Sequence, residues 1–232
     1  MKPVSQNTIV ENITTLHAQI RLLEQKYGRE AHSVKLLAVS KTRPIEDIRS
    51  AMAANQLIFG ENYLQDALEK IHNISENTLE WHFIGPIQSN KTRQIAENFD
   101  WVHTIDRLKI AQRLSEQRQT EQSQLNVCLQ VNTSGESSKS GVMPEEALNI
   151  AKDIAKLPRL KLRGLMTIPA ANNNFEQQQK PFHLLSELKN EMTASGIHLD
   201  TLSMGMSNDM EAAIAEGSTI VRIGTAIFGA RA

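Results

Sequence analysis

The sequence predicts an α/β fold: a closed (β/α)8 TIM-type barrel with an extra N-terminal helix. Three observations carry this expectation. Eight short apolar runs alternate with longer amphipathic stretches along the chain. Buried strands alternating with helices imply a parallel sheet with helical crossovers, and a count of eight suggests closure. No G-x-G-x-x-G follows the first apolar run, which places a doubly wound open sheet second.

The first helix is read from Ile9, Ile13, Leu16, Ile20 and Leu23, spaced by three and four residues. The strands are expected at Lys35–Ser40, Leu57–Gly60, Glu80–Ile84, Trp101–Thr104, Asn126–Asn132, Leu160–Met166, Thr201–Met204 and Ile220–Ile223. The helices between and after them are expected at Ile45–Asn55, Tyr63–Ile71, Lys91–Phe99, Leu108–Glu121, Glu145–Leu157, Phe175–Ser195 and Asp209–Glu216. Nothing reads as a linker, so residues 1–232 are expected to form one domain. Ala170–Gln179, rich in Asn and Gln, reads as a solvated loop running into a helix, with no assigned function.

Composition narrows the function classes. The chain has 25 Lys plus Arg against 26 Asp plus Glu, a net charge of −1. That leaves no global field for a polyanion and argues against nucleic acid as a partner, while permitting a local phosphate pocket. The one cysteine, Cys128, excludes an intrachain disulfide, and its apolar neighbours Val127 and Leu129 suggest an inert buried thiol. The N-terminal residues hold no continuous apolar segment and no stretch approaches a membrane span, so no membrane partner and a cytoplasmic location are expected.

In such a barrel, functional residues gather at the C-terminal ends of strands. Lys41 ends the first apolar run. Partial desolvation there would favour the neutral amine, the form that attacks an aldehyde. A solvated lysine opening the next helix is the competing reading. Gly205 to Asp209 follows the seventh strand. Small residues at a helix start suit an anion, but Ser207 or Asn208 would equally serve as a cap, and Asn208 with Glu211 has capping-box spacing. Arg222-Ile223-Gly224-Thr225 ends the eighth strand; Gly224 permits close backbone approach and Thr225 adds a hydroxyl. Loops seven and eight often build a phosphate site in barrels, which favours function over capping. Arg222 either contacts the ligand or pairs with an acidic neighbour.

Other candidates are weaker. Gly135 to Gly141 lacks the order of a P-loop and reads as a polar loop at the mouth, with Lys139 near a ligand. His82 and His103 lack the acidic and histidine companions of a metal set and read as satisfied core or rim histidines, so no metal is expected.

Five blocks carry a resemblance: Val39-Ser40-Lys41-Thr42, Phe59 to Tyr63, His82 to Lys91, Ser203 to Asp209, and Arg222 to Gly229. Together, in this order, they resemble the pyridoxal phosphate homeostasis protein family, whose barrel is shared with the N-terminal domain of alanine racemase. The resemblance spans about Lys35 to Arg231. It implies a barrel like that of the fold type III enzymes of pyridoxal 5′-phosphate (PLP), with PLP bound as a Schiff base on Lys41. Ser207, Gly224 and Thr225 would hold the phosphate, with the Met206 backbone. Arg222 would face the pyridine nitrogen, and Asn62 and His82 would line the pocket. A permanently cationic arginine there disfavours ring protonation and weakens the ring as an electron sink.

The implied role is binding and buffering of PLP in vitamin B6 homeostasis, with apo PLP-dependent enzymes as recipients. A small PLP-dependent racemase is the alternative. Alanine racemase adds a C-terminal β domain that supplies a catalytic tyrosine. This chain ends at Ala232, and its only tyrosines are Tyr27, at the end of the first helix, and Tyr63, at the start of another. The expectation is therefore a non-enzyme, and, without a second domain to pair through, a monomer. A third reading is a regulatory protein that docks a partner on the Gln-rich Leu108–Gln124, although a solvated face explains that stretch equally.

Overall fold

The computed structural model describes residues 6–74, 78–136 and 139–230. Eight strands close into a barrel in chain order: β1 Lys35–Val39, β2 Ile58–Glu61, β3 Glu80–Phe83, β4 Trp101–Ile105, β5 Leu125–Gln130, β6 Leu160–Met166, β7 Thr201–Ser203 and β8 Ile220–Ile223. Every neighbouring pair is parallel, and β8 returns to β1 through Lys35↔Ile220 to Ala38↔Ile223. The helices are α1 Gln6–Lys26, α2 Ile45–Met52, α3 Leu64–Asn73, α4 Thr92–Asn98, α5 Leu108–Gln117, α6 Pro144–Ala155, α7 Phe175–Ala194, α8 Met210–Ala215 and α9 Thr225–Phe228. A 3-10 turn, Ser89–Lys91, leads into α4.

Strand side chains alternate between two buried faces. Phe59, Phe83, Val102, Leu129, Leu165 and Val221 point outward into one large core shared with the helices. Leu37, Ile84 and Ile220 pack inside the barrel with Val39 and Ile58, and Trp101, Cys128 and Met166 form a second interior group. A strand buried on both faces has no reason to alternate polar and apolar residues, which is why these strands read as continuous apolar runs. α1 buries Ile9, Ile13, Leu16 and Ile20. Each such side chain contributes about 1.5–3 kcal/mol on burial, enough to hold this extra helix against the barrel beside α2, α8 and α9. Its last turn is fixed to the segment leading into β1 by Glu24, whose carboxylate accepts from the backbone N–H groups of His32 and Val34.

Cys128 is fully buried among these interior groups, and that burial pushes its thiol up to about 12. A thiol held neutral and out of solvent does not react. Treatment of the folded protein at mildly alkaline pH with a thiol-specific disulfide reagent is expected to modify no cysteine until denaturant is added.

Several local expectations need correction. α9 was not anticipated, because four residues are too few to show helical periodicity. The Gln-rich stretch does not continue as helix to Gln124. α5 stops at Gln117, and the buried Arg118 turns back to the carbonyls of Ala96, Phe99 and Ser123. The capping box of Asn208 and Glu211 does not form. Asp209 holds the N-cap position of α8 without a side-chain cap, and its carboxylate accepts instead from the Met206 N–H. Among the described residues, no helix is long and apolar enough to cross a membrane.

Candidate functional site

β1 ends at Val39, and the next residues are held by an ionic clamp. The Ser40 hydroxyl donates to Glu61 Oε1 at 2.7 Å. Lys70, from α3, donates at 2.8 Å to three oxygens: the Ser40 carbonyl, Glu61 Oε1 and Asp66 Oδ2. Asp66 Oδ2 also accepts from the Thr42 N–H at 3.1 Å. Lys41 lies between these two anchored residues. Thr42 has a left-handed φ of 62°, costly for a β-branched residue and typical of a backbone constrained at a functional site. The lysine is thus set on a strained turn fixed from both sides. Burial pushes the Glu61 carboxyl above its ordinary value, and Lys70 opposes that shift.

Asn62 follows β2 and faces the same space. Its Oδ1 is buried without a hydrogen-bond partner in the protein. Its backbone packs directly on Gly85, where a Cβ would stand 2.1 Å from the Asn62 carbonyl oxygen. Gly85 is in turn held by the Thr104 hydroxyl, which donates to its carbonyl at 2.6 Å. Gly85→Ala must therefore move backbone rather than a side-chain tip. It is expected to cost about 1–3 kcal/mol or more, seen as a lower urea midpoint, and to displace Asn62.

On the far side, Arg222 N donates to the Gly205 carbonyl at 2.9 Å, which carries the β7–β8 contact past the short β7 and draws the two following loops together. Ile227 and Phe228 both donate to the Gly224 carbonyl, opening α9 at Thr225. The first N–H groups of a helix have no partner within it, so this turn offers donors outward. The Arg222 guanidinium donates to Ser203 Oγ and to the Thr167 carbonyl, at 2.8 and 2.9 Å. Burial lowers it to about 10, so it remains cationic at neutral pH.

These pieces enclose one cavity of about 580 Å³ at the C-terminal mouth of the barrel, a volume suited to a small cofactor. Lys41, Asn62, Met206, Ser207, Arg222, Gly224 and Thr225 all line it. His82 does not. It is fully buried deeper in the barrel, stacked on Trp101 and hydrogen-bonded to Glu80 and His103. Residue 82 shares the inward face of β3 with Glu80, and its ring fills the interior beneath the cavity. Lys139 does not line the cavity either, and residues 137–138 of its loop lie outside the described residues.

Arg43, Asp209 and the 168–173 loop line the cavity without having been singled out. Arg43 stood beside Lys41 at a strand end, which was the available signal. The Asn-rich loop carried none, because composition does not say where a loop folds back. Lys41, Arg43 and Arg222 are the cations of the described lining and Asp209 its one carboxylate. The excess positive charge suits a phosphorylated ligand. Burial raises the Asp209 carboxyl, while the Met206 N–H and Arg222 oppose that shift.

A family model described as "Alanine racemase, N-terminal domain" matches residues 12–232. A pyridoxal phosphate homeostasis protein of Vibrio alginolyticus is 57% identical over 229 residues, covering 97% of this chain and 98% of the relative. The chain belongs to the pyridoxal phosphate homeostasis protein family. PipY of Synechococcus elongatus, solved with PLP bound, is a structural relative of this family member, with a TM-score of 0.81, 34% identity, and coverage of 95% of this chain and all (100%) of that one. The alanine racemase of Clostridium difficile superposes with a TM-score of 0.76 at 16% identity, over 97% of this chain and 57% of that one. At that identity the likeness shows the shared barrel alone.

Proposed function

We propose that this chain binds pyridoxal 5′-phosphate as a Schiff base on Lys41 and serves in intracellular PLP homeostasis, as a single barrel domain acting as a cytoplasmic monomer. The observation that carries this reading is the cavity itself. It brings a lysine on a fixed turn, a buried arginine and the loops after β7 and β8 into one space. The cavity fits the cofactor in kind. It has cationic excess for the phosphate, and the buried, unpartnered Asn62 Oδ1 would accept from a ligand hydroxyl. The name of the Vibrio relative and the PLP bound to PipY support the same reading.

The residues divide the work. Lys41 would hold the cofactor through its amine, the group that condenses with an aldehyde. Ser207 and Thr225 present hydroxyls to the phosphate, and the backbone of Met206 and Gly224 approaches it. Arg222 would face the ring nitrogen. Bound PLP supplies an electron sink for carbanion chemistry, and a cation at its ring nitrogen weakens that sink. Capture and release of the cofactor, with apo PLP-dependent enzymes as recipients, suits such a site better than broad amino-acid catalysis. Neither tyrosine lines the cavity: Tyr63 is exposed, and the Tyr27 hydroxyl is engaged by Glu211. A racemase that draws its second base from a tyrosine of this chain is correspondingly disfavoured.

The test is a visible spectrum of the purified protein after incubation with PLP and gel filtration, followed by borohydride reduction and peptide mapping. A retained chromophore reduced onto Lys41 is the expected result. No retained chromophore, or reduction onto another lysine, overturns the reading. Loss of PLP from loaded protein to an apo-enzyme tests the carrier role, and lysine-dependent exchange of amino-acid α-protons in D₂O would instead indicate catalysis.

A further inference from the structure

A line of polar side chains runs through the barrel interior from the cavity to the opposite rim. Arg222 Nη1 donates to Ser203 Oγ at 2.8 Å. Ser203 Oγ lies 2.8 Å from His103 Nδ1. His103 Nε2 lies 2.8 Å from His82 Nδ1. His82 Nε2 lies 2.7 Å from Glu80 Oε1. Ser203, His82 and His103 are fully buried, and Glu80, at the start of β3, is 38% exposed on the N-terminal side. The line draws on four strands, β3, β4, β7 and β8; apolar side chains would fill the same space without the cost of burying donors and acceptors.

The two ends determine the direction of every bond. A guanidinium only donates and an ionised carboxylate only accepts. Glu80 therefore accepts a hydrogen bond from His82 Nε2–H, which leaves Nδ1 of the neutral ring as an acceptor. His103 must then donate from Nε2, which leaves its own Nδ1 to accept from the Ser203 hydroxyl. Ser203 Oγ in turn accepts from Arg222. Each hydrogen bond is satisfied once, all donors point toward Glu80, and neither imidazole is charged. Burial agrees: it lowers the His82 pKa and takes that of His103 well below its ordinary value. The Glu80 carboxyl is lowered, first by its bond from His82.

We propose that Glu80, His82, His103 and Ser203 are positioning residues for Arg222: a one-way hydrogen-bonded relay that fixes the guanidinium against the cofactor ring and couples its donor strength to an anion on the opposite rim of the barrel. The inference rests on the reading in which Arg222 faces the ring nitrogen. Aligned hydrogen bonds in a low-dielectric interior polarise one another, so the far carboxylate strengthens Ser203 as an acceptor at the Arg222 end. Residues that orient a ligating group tune it without touching the ligand.

The experiment uses the full chain with ring-15N histidine and 15N arginine, first without cofactor. Long-range 15N–1H spectra from about pH 6 to 8, where an ordinary histidine titrates, are expected to show both buried rings neutral and protonated on Nε2. A ring protonated on Nδ1, or a cationic ring, overturns the proposal. Glu80→Gln, at a position whose side chain is 38% exposed, removes the charge and keeps an acceptor and the shape. Shifts that reach His103 and the Arg222 guanidinium are expected; shifts confined to His82 overturn the relay, because simple packing would stop there. PLP is then added. If wild type retains PLP on Lys41 and the histidine signals do not move, the proposal fails although the function stands. If no PLP is retained while the tautomers and the Glu80→Gln response are as expected, the relay exists and the assigned function is what fails.

Discussion

Lys41→Ala is expected to remove the covalent capture of PLP and leave the barrel folded. Lys41 follows β1 and is only half-buried, and the clamp on either side of it holds the backbone of Ser40 and Thr42. The stability change should therefore be small, within about 1 kcal/mol. Retention of the cofactor should fall by on the order of a hundredfold or more, since every 1.4 kcal/mol lost is a factor of ten. Residual binding should remain, because the loops after β7 and β8, proposed to hold the phosphate, are untouched. Lys41→Arg separates charge from chemistry: guanidinium keeps the positive charge but does not condense with an aldehyde at neutral pH. Both variants are expected to lose the chromophore on gel filtration. A chromophore retained at wild-type level in either would show that another group holds the cofactor.

The second large effect is expected at Lys70. Its ammonium is buried between Glu61 and Asp66, with side-chain exposures of 3% for Lys70 and 0% for Glu61. Lys70→Met leaves the Glu61 carboxylate buried without its cation and unfastens the Ser40 carbonyl. Breaking a buried pair from one side costs about 3–5 kcal/mol. The pH dependence has a definite sign. Burial already raises Glu61, and loss of Lys70 removes the chief opposing influence. With the folded-state value above the unfolded one, the native state holds the extra proton. Stability is then greatest below the unfolded value, about 4.3 for glutamate, and is lost as pH rises through the folded value. The variant should accordingly regain stability on acidification from pH 7. Glu61→Gln combined with Lys70→Met should recover much of the loss, because the uncompensated charge is gone. Urea unfolding of wild type and both variants across that pH range is the measurement. A single-variant loss under about 1 kcal/mol, the scale of an exposed pair, would show that the clamp does not hold the Lys41 turn.

The strands were the most legible part of the chain. Leu160–Met166 and Ile220–Ile223 were located to the residue, and the other strands to within two residues. Strand ends in turn placed Lys41, Arg222, Gly224 and Thr225 at the barrel mouth before any tertiary information. The clamp was far less visible. Asp66 and Lys70 look like an ordinary i,i+4 pair on a helix surface, and nothing local shows that their charges point at the loop after β1. The Asn-rich stretch had no periodicity to interpret, yet Asn172 and Asn173 form part of the cavity wall.

The sequence by itself determined the alternation of buried strands and helices, the single inert cysteine, and the small set of chemically capable residues at strand ends. These follow from local apolar patterning and from motif order, which need no knowledge of what lies across the barrel. Only the tertiary structure decided which side of a doubly buried strand faces the interior. His82 is the clearest case. Both faces of β3 exclude water, so its apolar run carries no mark distinguishing the barrel interior from the helix layer. Closure of the barrel put that ring beneath the cavity rather than in its wall, and set it between Glu80 and His103, 21 residues further along the chain.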